Sequence, residues 1–279
     1  MKRYAVSLLL VFTILGAQSA SAVLITDWSW QVEATFTAAA PLAPPADAVT
    51  PSIPNPNFPI AGPPPAFNFT MLQWGGDAGF GQSSLQIVNP SLSSPPLDPI
   101  QTNMGPEDTL LLRHSNFAVF PFVNSLSSAT LSAQLLLTPL LPPGSSVGPL
   151  TADFDIRFRE TQNNLTPCPA GDPGPCDDVF VITNPEVLTN PVQFVIDDFV
   201  YTVTQGAVGL GLLPPGACAA AGVAAGCIGF VTAEGSINDL QAFVAITATR
   251  IVPEPAVLAL LGLALFGLGV AQRGNNRRP

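Results

Sequence analysis

Between Thr26 and Phe36 the chain alternates, with Trp28, Trp30, Val32, Ala34 and Phe36 on one side and Asp27, Ser29, Gln31, Glu33 and Thr35 on the other. A period of two residues puts each set on one face of an extended chain, so the segment predicts a half-buried β-strand. Short runs of the same kind recur at residues 85–88, 130–137, 154–158, 179–182, 192–196, 199–203 and 243–248, separated by glycine, proline and asparagine. Many short strands between turn signals predict an all-β body, an antiparallel β-sandwich of the jelly-roll or immunoglobulin-like kind. The polar side of residues 153–159 carries Asp153, Asp155, Arg157 and Arg159, which reads as a solvated face with cross-strand partners. Residues 41–65 interrupt the pattern with ten prolines and almost no charge, which predicts a long polyproline-like loop.

Both ends abandon alternation. Lys2 and Arg3 precede an apolar run from Ala5 to Leu15, and the small residues Ala20-Ser21-Ala22 follow. A positive start, a short apolar stretch and a small-x-small site predict a secretory signal helix over residues 1–22, with the mature chain beginning at Val23. At the other end, sixteen apolar residues, 256–271, lie between Pro253-Glu254-Pro255 and the basic group Arg273, Arg277 and Arg278. As a helix they span ~24 Å against a hydrocarbon core of ~30 Å, and the arginines stay cytoplasmic. The expected organisation is a signal peptide (1–22), an extracellular β domain (23–250) with the Pro-rich insertion 41–65, and a tail (251–279). The tail's transmembrane helix holds the protein in the inner membrane with its body outside the cytoplasm.

Composition narrows the partners. Only 10% of the residues are charged, and 31 prolines with 23 glycines disfavour long helices. Between the termini Arg113, Arg157, Arg159 and Arg250 stand against 18 acids from Asp27 to Asp239, a net charge of −14. Such a body repels nucleic acid, whose phosphates are bound by clustered lysine and arginine. A divalent cation or a neutral polysaccharide remains compatible with it.

Catalytic chemistry has few candidates. His114 is the single histidine and no lysine follows Lys2, so acid–base work near pH 7 falls on His114 or on a shifted carboxylate. Gly144-Ser145-Ser146-Val147-Gly148 has the spacing of a nucleophile elbow, but prolines flank it and no helical pattern follows. The expectation is a protein that is not an enzyme and uses no cofactor. An extracellular hydrolase built on carboxylates is the alternative, and its mark would be a buried acid of raised pKa in a cleft. His114, Ser115 and Asn116 suit a structural corner whose side chains bond the backbone.

The four cysteines form two close pairs, Cys168 with Cys176 and Cys218 with Cys227. In an exported chain this spacing favours two local disulfides, although four cysteines permit three connectivities and a four-thiolate zinc site is the rival. Asp172, in the turn-rich loop of the first pair, and Asp177 and Asp178 just after it are candidate calcium ligands, although acidic turns are usually only solvated.

Val252-Pro253-Glu254-Pro255, the glycine-punctuated apolar helix and the terminal arginines together resemble the PEP-CTERM sorting signal of Gram-negative bacteria. The resemblance implies export by the Sec machinery and recognition by exosortase, a membrane-embedded cysteine transpeptidase, with release or re-anchoring at the cell surface. Producers of such proteins make exopolysaccharide and form biofilm or floc, which implies an adhesive or structural role in contact with polysaccharide. The same tail also carries an ice-binding protein C-terminal label, and nothing in these residues shows ice binding. The body resembles the THxN family of PEP-CTERM proteins at Leu111-Leu112-Arg113-His114-Ser115-Asn116, at residues 125–131 and 176–181, and across Cys218 to Phe230. Arg113 stands where that family has threonine, with His114 and Asn116 in place. This second likeness implies architecture and address, and no activity.

Overall fold

The alternating segments pair edge to edge into one antiparallel sheet. The computed structural model describes residues 22–41, 49–75, 81–89, 98–118, 125–171 and 175–251. The signal segment, the sorting residues Pro253, Glu254 and Pro255, the apolar run 256–271 and Asp172 lie outside the described residues. No helix among the described residues is long and apolar enough to cross a membrane.

Strand β1 (Asp27–Ala40) pairs along its length with β7 (Ser128–Leu141), which turns into β8 (Val147–Arg159). The sheet continues through β9 (Asp178–Ile182) and β13 (Ile228–Thr232) to an edge at β12 (Gly211–Leu212). On the other side of β1 come β3 (Phe69–Trp74), β4 (Ser83–Val88), β6 (Glu107–Asn116), β14 (Ser236–Arg250), β11 (Phe199–Ala207) and the second edge, β10 (Val192–Ile196). Strand β2 (Thr50–Pro54) joins β3, and β5 (Ile100–Gln101) joins β1. The short helices α1 (Glu186–Thr189) and α2 (Pro215–Ala220) sit in connections.

The antiparallel all-β expectation holds, and every alternating run read from the sequence lies in a strand. The layering differs from a two-sheet sandwich: pairing is continuous from β10 to β12, and the sheet curls into a half-barrel. Strands of 13 to 15 residues such as β8, β7 and β14 accumulate the right-handed twist of L-residues until a wide sheet coils over its own face. Aromatic contacts mark the closure. Trp28 of β1 stands edge-on to Phe194 of β10 and Tyr201 of β11, at 5.8 and 5.2 Å between ring centroids. Trp74 of β3 meets Phe158 of β8 at 5.1 Å. Between these contacts lies an apolar cavity of about 120 Å³ lined by side chains such as Val32, Leu112, Leu131, Ile156 and Val244.

The Pro-rich stretch corrects the loop expectation. Residues Thr50–Pro54 form strand β2 at the margin of the sheet, and Val49, Asn55 and Phe58 are buried. Proline lacks a ladder donor but is tolerated where one strand edge is free, so proline content alone does not separate an edge strand from a polyproline loop. The same segment covers the polar side of β1. Asn55 donates to the Ala34 carbonyl at 2.9 Å and to Glu33 Oε2 at 3.4 Å, and Glu33 and Thr35 are buried. The predicted one-sided strand is therefore two-sided at its centre.

Cys168 bonds Cys176 and Cys218 bonds Cys227, so the local pairing is the one formed and no thiolate remains for zinc. Each bridge closes a loop of roughly ten residues, and in the chain-entropy account such a crosslink stabilises chiefly by restricting the unfolded chain.

Candidate functional site

Strand β9 lies between β8 and β13 and is antiparallel to both. That order brings the end of β8, the start of β9 and the end of β13 to one margin of the sheet. Glu160 directly follows β8, Asp178 opens β9, and Glu234 sits in the turn from β13 into β14. Carboxylate oxygens from these three residues lie within 4.8 Å of one another. Asp178 is completely buried, while Glu160 and Glu234 are half-buried as whole residues, with both Glu234 carboxylate oxygens buried.

Few donors answer this charge. The Trp74 indole Nε1 donates to Glu160 Oε2 at 2.8 Å, and the Thr161 amide donates to Asp178 Oδ1 at 2.7 Å. Asp178 Oδ2 is buried without a hydrogen-bond partner. Asn163 pulls on Glu234 electrostatically, from a position that gives neither Glu234 oxygen a hydrogen bond of proper geometry. All three carboxyl groups are pushed above their ordinary pKa. For Asp178 the causes are burial and then the Glu160 charge, with the Thr161 amide opposing and Glu234 and Asp177 adding. Burial also raises Glu160 and Glu234, against the Trp74 indole and Asn163 respectively. Such a cluster can bind a hard cation, share protons, or do acid–base work.

Behind the carboxylates stands the segment that carries the sequence motif. His114 and Asn116 lie on β6, inside a strand, so the expected corner is not there. Instead both side chains converge on Thr232. His114 Nδ1 lies 2.9 Å from Thr232 Oγ1, and Asn116 Nδ2 donates to the Thr232 carbonyl at 3.1 Å. Thr232 is the register partner of Asp178 across β13 and β9. Gly229 lets these strands meet closely, because a Cβ there would run into the Phe180 carbonyl. The His114 ring stacks on Trp74 at 5.5 Å and stands edge-on to Phe158 and Phe180. Burial alone lowers its pKa to about 3, so the ring is neutral at pH 7. Trp74 thus touches both groups, stacking on His114 and donating to Glu160.

Arg113 points the other way. Its Nε and Nη2 donate to Asp239 Oδ1 and Oδ2, each at 2.8 Å, and both side chains are more than a third exposed. Exposed pairs contribute little, so Arg113→Ala is expected to cost no more than ~1 kcal/mol in urea unfolding. A loss above ~2 kcal/mol would show that Arg113 supports the core.

Of the three calcium candidates from the sequence, Asp178 joins the cluster. Asp177 contributes its charge from the neighbouring position, and Asp172 is not among the described residues. Glu160 and Glu234 were not singled out by sequence reasoning. Their only local signal is an acid just past the end of an apolar strand, and this does not distinguish a ligand from a solvated turn. The Gly144–Gly148 segment connects β7 to β8 as a strand-to-strand turn, without the following helix that a nucleophile elbow needs.

Taken together, the molecule is an antiparallel β protein, stapled by two disulfides, with an acidic cluster at one sheet margin. The family model of the PEP-CTERM protein-sorting motif matches residues 252–277, which supports a PEP-CTERM protein and implies processing by exosortase. That motif and the two disulfides fit an exported protein. No curated protein matches the chain.

Proposed function

We propose that this protein works outside the cytoplasm as a non-catalytic structural or adhesive component of the extracellular matrix, in contact with exopolysaccharide. Delivery runs through a cleaved signal peptide and the Sec machinery. The apolar segment 256–271 holds the chain in the inner membrane until exosortase reads Pro253-Glu254-Pro255. The observation that carries this reading is the sorting motif at residues 252–277. The acidic, lysine-free mature body and its disulfides suit an exterior setting. We also assign the body to the THxN type, supported by the joint attachment of His114 and Asn116 to Thr232.

Mass spectrometry of the extracellular fraction from hosts with and without exosortase tests the sorting. The expected result is loss of the segment beyond about Pro253 only when the enzyme is present. A full-length chain that stays in the cytosol with both ends uncut sinks the reading. For the matrix role, the secreted product is expected to bind exopolysaccharide from its own host in a pull-down. A product that remains wholly in the supernatant removes that role and leaves the sorting standing.

A further inference from the structure

Buried carboxylates are retained when something neutralises them, and at this sheet margin no arginine or lysine forms an ion pair with Glu160, Asp178 or Glu234 among the described residues. Asp178 is 0% exposed. The Thr161 amide occupies its Oδ1, which leaves Oδ2 buried and unpartnered, and a carboxylate oxygen of Asp178 lies within 4.8 Å of oxygens of Glu160 and Glu234. This orphaned atom is an observation separate from the grouping of acids. We propose that Glu160, Asp178 and Glu234 bind a calcium ion, and that the motif residues His114 and Asn116 position the site by fixing Thr232 opposite Asp178.

The donor set selects the metal. All three ligands are hard carboxylate oxygens, and calcium accepts six to eight oxygens at roughly 2.3–2.6 Å in flexible geometry, with water completing the shell. The ligands come from three separate segments: the end of β8, the start of β9 and the β13–β14 turn. Calcium tolerates such an irregular set better than magnesium, which demands near-octahedral ligands at roughly 2.0–2.1 Å. Zinc finds no softer ligand here, because every cysteine is in a disulfide and neither ring nitrogen of His114 belongs to the group of oxygens within 4.8 Å of one another. Both Glu234 oxygens are likewise buried without a hydrogen-bond partner. The Cys168–Cys176 disulfide shortens the loop that joins Glu160 to Asp178, which reduces the ordering that binding must supply. The site belongs to the folded body and does not depend on how the tail is sorted.

The test uses the full-length chain, purified in detergent and freed of metal with a chelator. Addition of ~10 mM Ca²⁺ is expected to raise Tm by about 5 °C or more, given the affinities of roughly 10⁻⁴–10⁻³ M typical of extracellular calcium modules. Tb³⁺ in place of Ca²⁺ is expected to emit on tryptophan excitation, because the Trp74 indole bonds Glu160, and Ca²⁺ is expected to quench that emission by competition. Asp178→Asn and Glu234→Gln are each expected to abolish the Ca²⁺ shift, whereas Asp198→Asn retains it. Glu234 lies in a half-buried turn, so its variant keeps the test open should Asp178→Asn fail to fold. The proposal is overturned by an unchanged Tm with Ca²⁺, by an equal shift with Mg²⁺ alone, or by a Ca²⁺ shift that survives in Asp178→Asn or Glu234→Gln.

Discussion

Trp28→Ala is expected to lower the unfolding free energy by about 3–5 kcal/mol, the cost of deleting a buried aromatic side chain and leaving a partly collapsed cavity. That is a large share of the roughly 5–15 kcal/mol that holds a domain together. Trp28 is fully buried, and its ring touches Phe194 and Tyr201 from the far arm of the sheet. Its Nε1 donates to Thr102 Oγ1 at 2.9 Å, and that hydroxyl donates in turn to the Ile25 carbonyl at 2.6 Å. Tyr201 completes the junction by accepting the Ile25 amide at 2.8 Å. The substitution therefore loosens the line along which the curled sheet closes. Urea unfolding followed by tyrosine and tryptophan fluorescence measures the loss. Trp30→Ala is the comparison: Trp30 is half-buried and its Nε1 donates outward to the Asp98 carbonyl, so its cost should be well below that of Trp28. Equal costs would show that closure does not depend on the Trp28 junction.

The second large effect is on pH. In the presence of a chelator, Tm is expected to fall by about 5–10 °C between pH 6.5 and 9, which corresponds to one proton over two pH units at ~1.4 kcal/mol each and ~2–4 °C per kcal/mol. Asp178 and Glu160 have folded pKa values raised from 3.8 and 4.5, and as a coupled cluster they titrate in the folded protein between about 7 and about 9. A carboxyl with a raised pKa binds its proton more tightly in the fold. Its contribution is whole below pH 4 and is lost as pH climbs through the folded value. His114 works in the opposite sense, because its pKa is lowered from 6.5 to about 3. Its contribution is whole above pH 6.5 and is lost as pH falls toward 3. Above pH 6.5 the carboxylates act alone, so the slope there is theirs. Calorimetry across that window reads it, and Asp178→Asn should flatten it. A level Tm from pH 6.5 to 9 in the wild-type chain would show that the cluster is already relaxed by solvent.

Several elements were legible because their cause is local. The period of two at Trp28 to Phe36 and at residues 154–158 reflects side chains alternating across a pleat, which each strand expresses by itself. The strand carrying His114 was missed. Its residues Arg113 to Asn116 carry polar groups that suggest a turn, yet His114 and Asn116 face a buried threonine from a strand more than a hundred residues away. Likewise, β2 was concealed by Pro51 and Pro54, whose fit depends on lying at a sheet margin. The acidic cluster was one-third visible, through Asp178.

By itself the sequence determined the β class and the sorting motif at residues 252–277, and it favoured the two short-range disulfides, because each is set by neighbouring residues within a few turns of chain. Tertiary structure alone decided that the strands form one curled sheet, that Glu33 lies under the Pro-rich segment, and that Glu160, Asp178 and Glu234 share one site. Those outcomes depend on which strands lie side by side. Strand order joins Glu160 to Glu234, 74 positions away, and pairing over such separations leaves no periodicity in the chain for a reader to find.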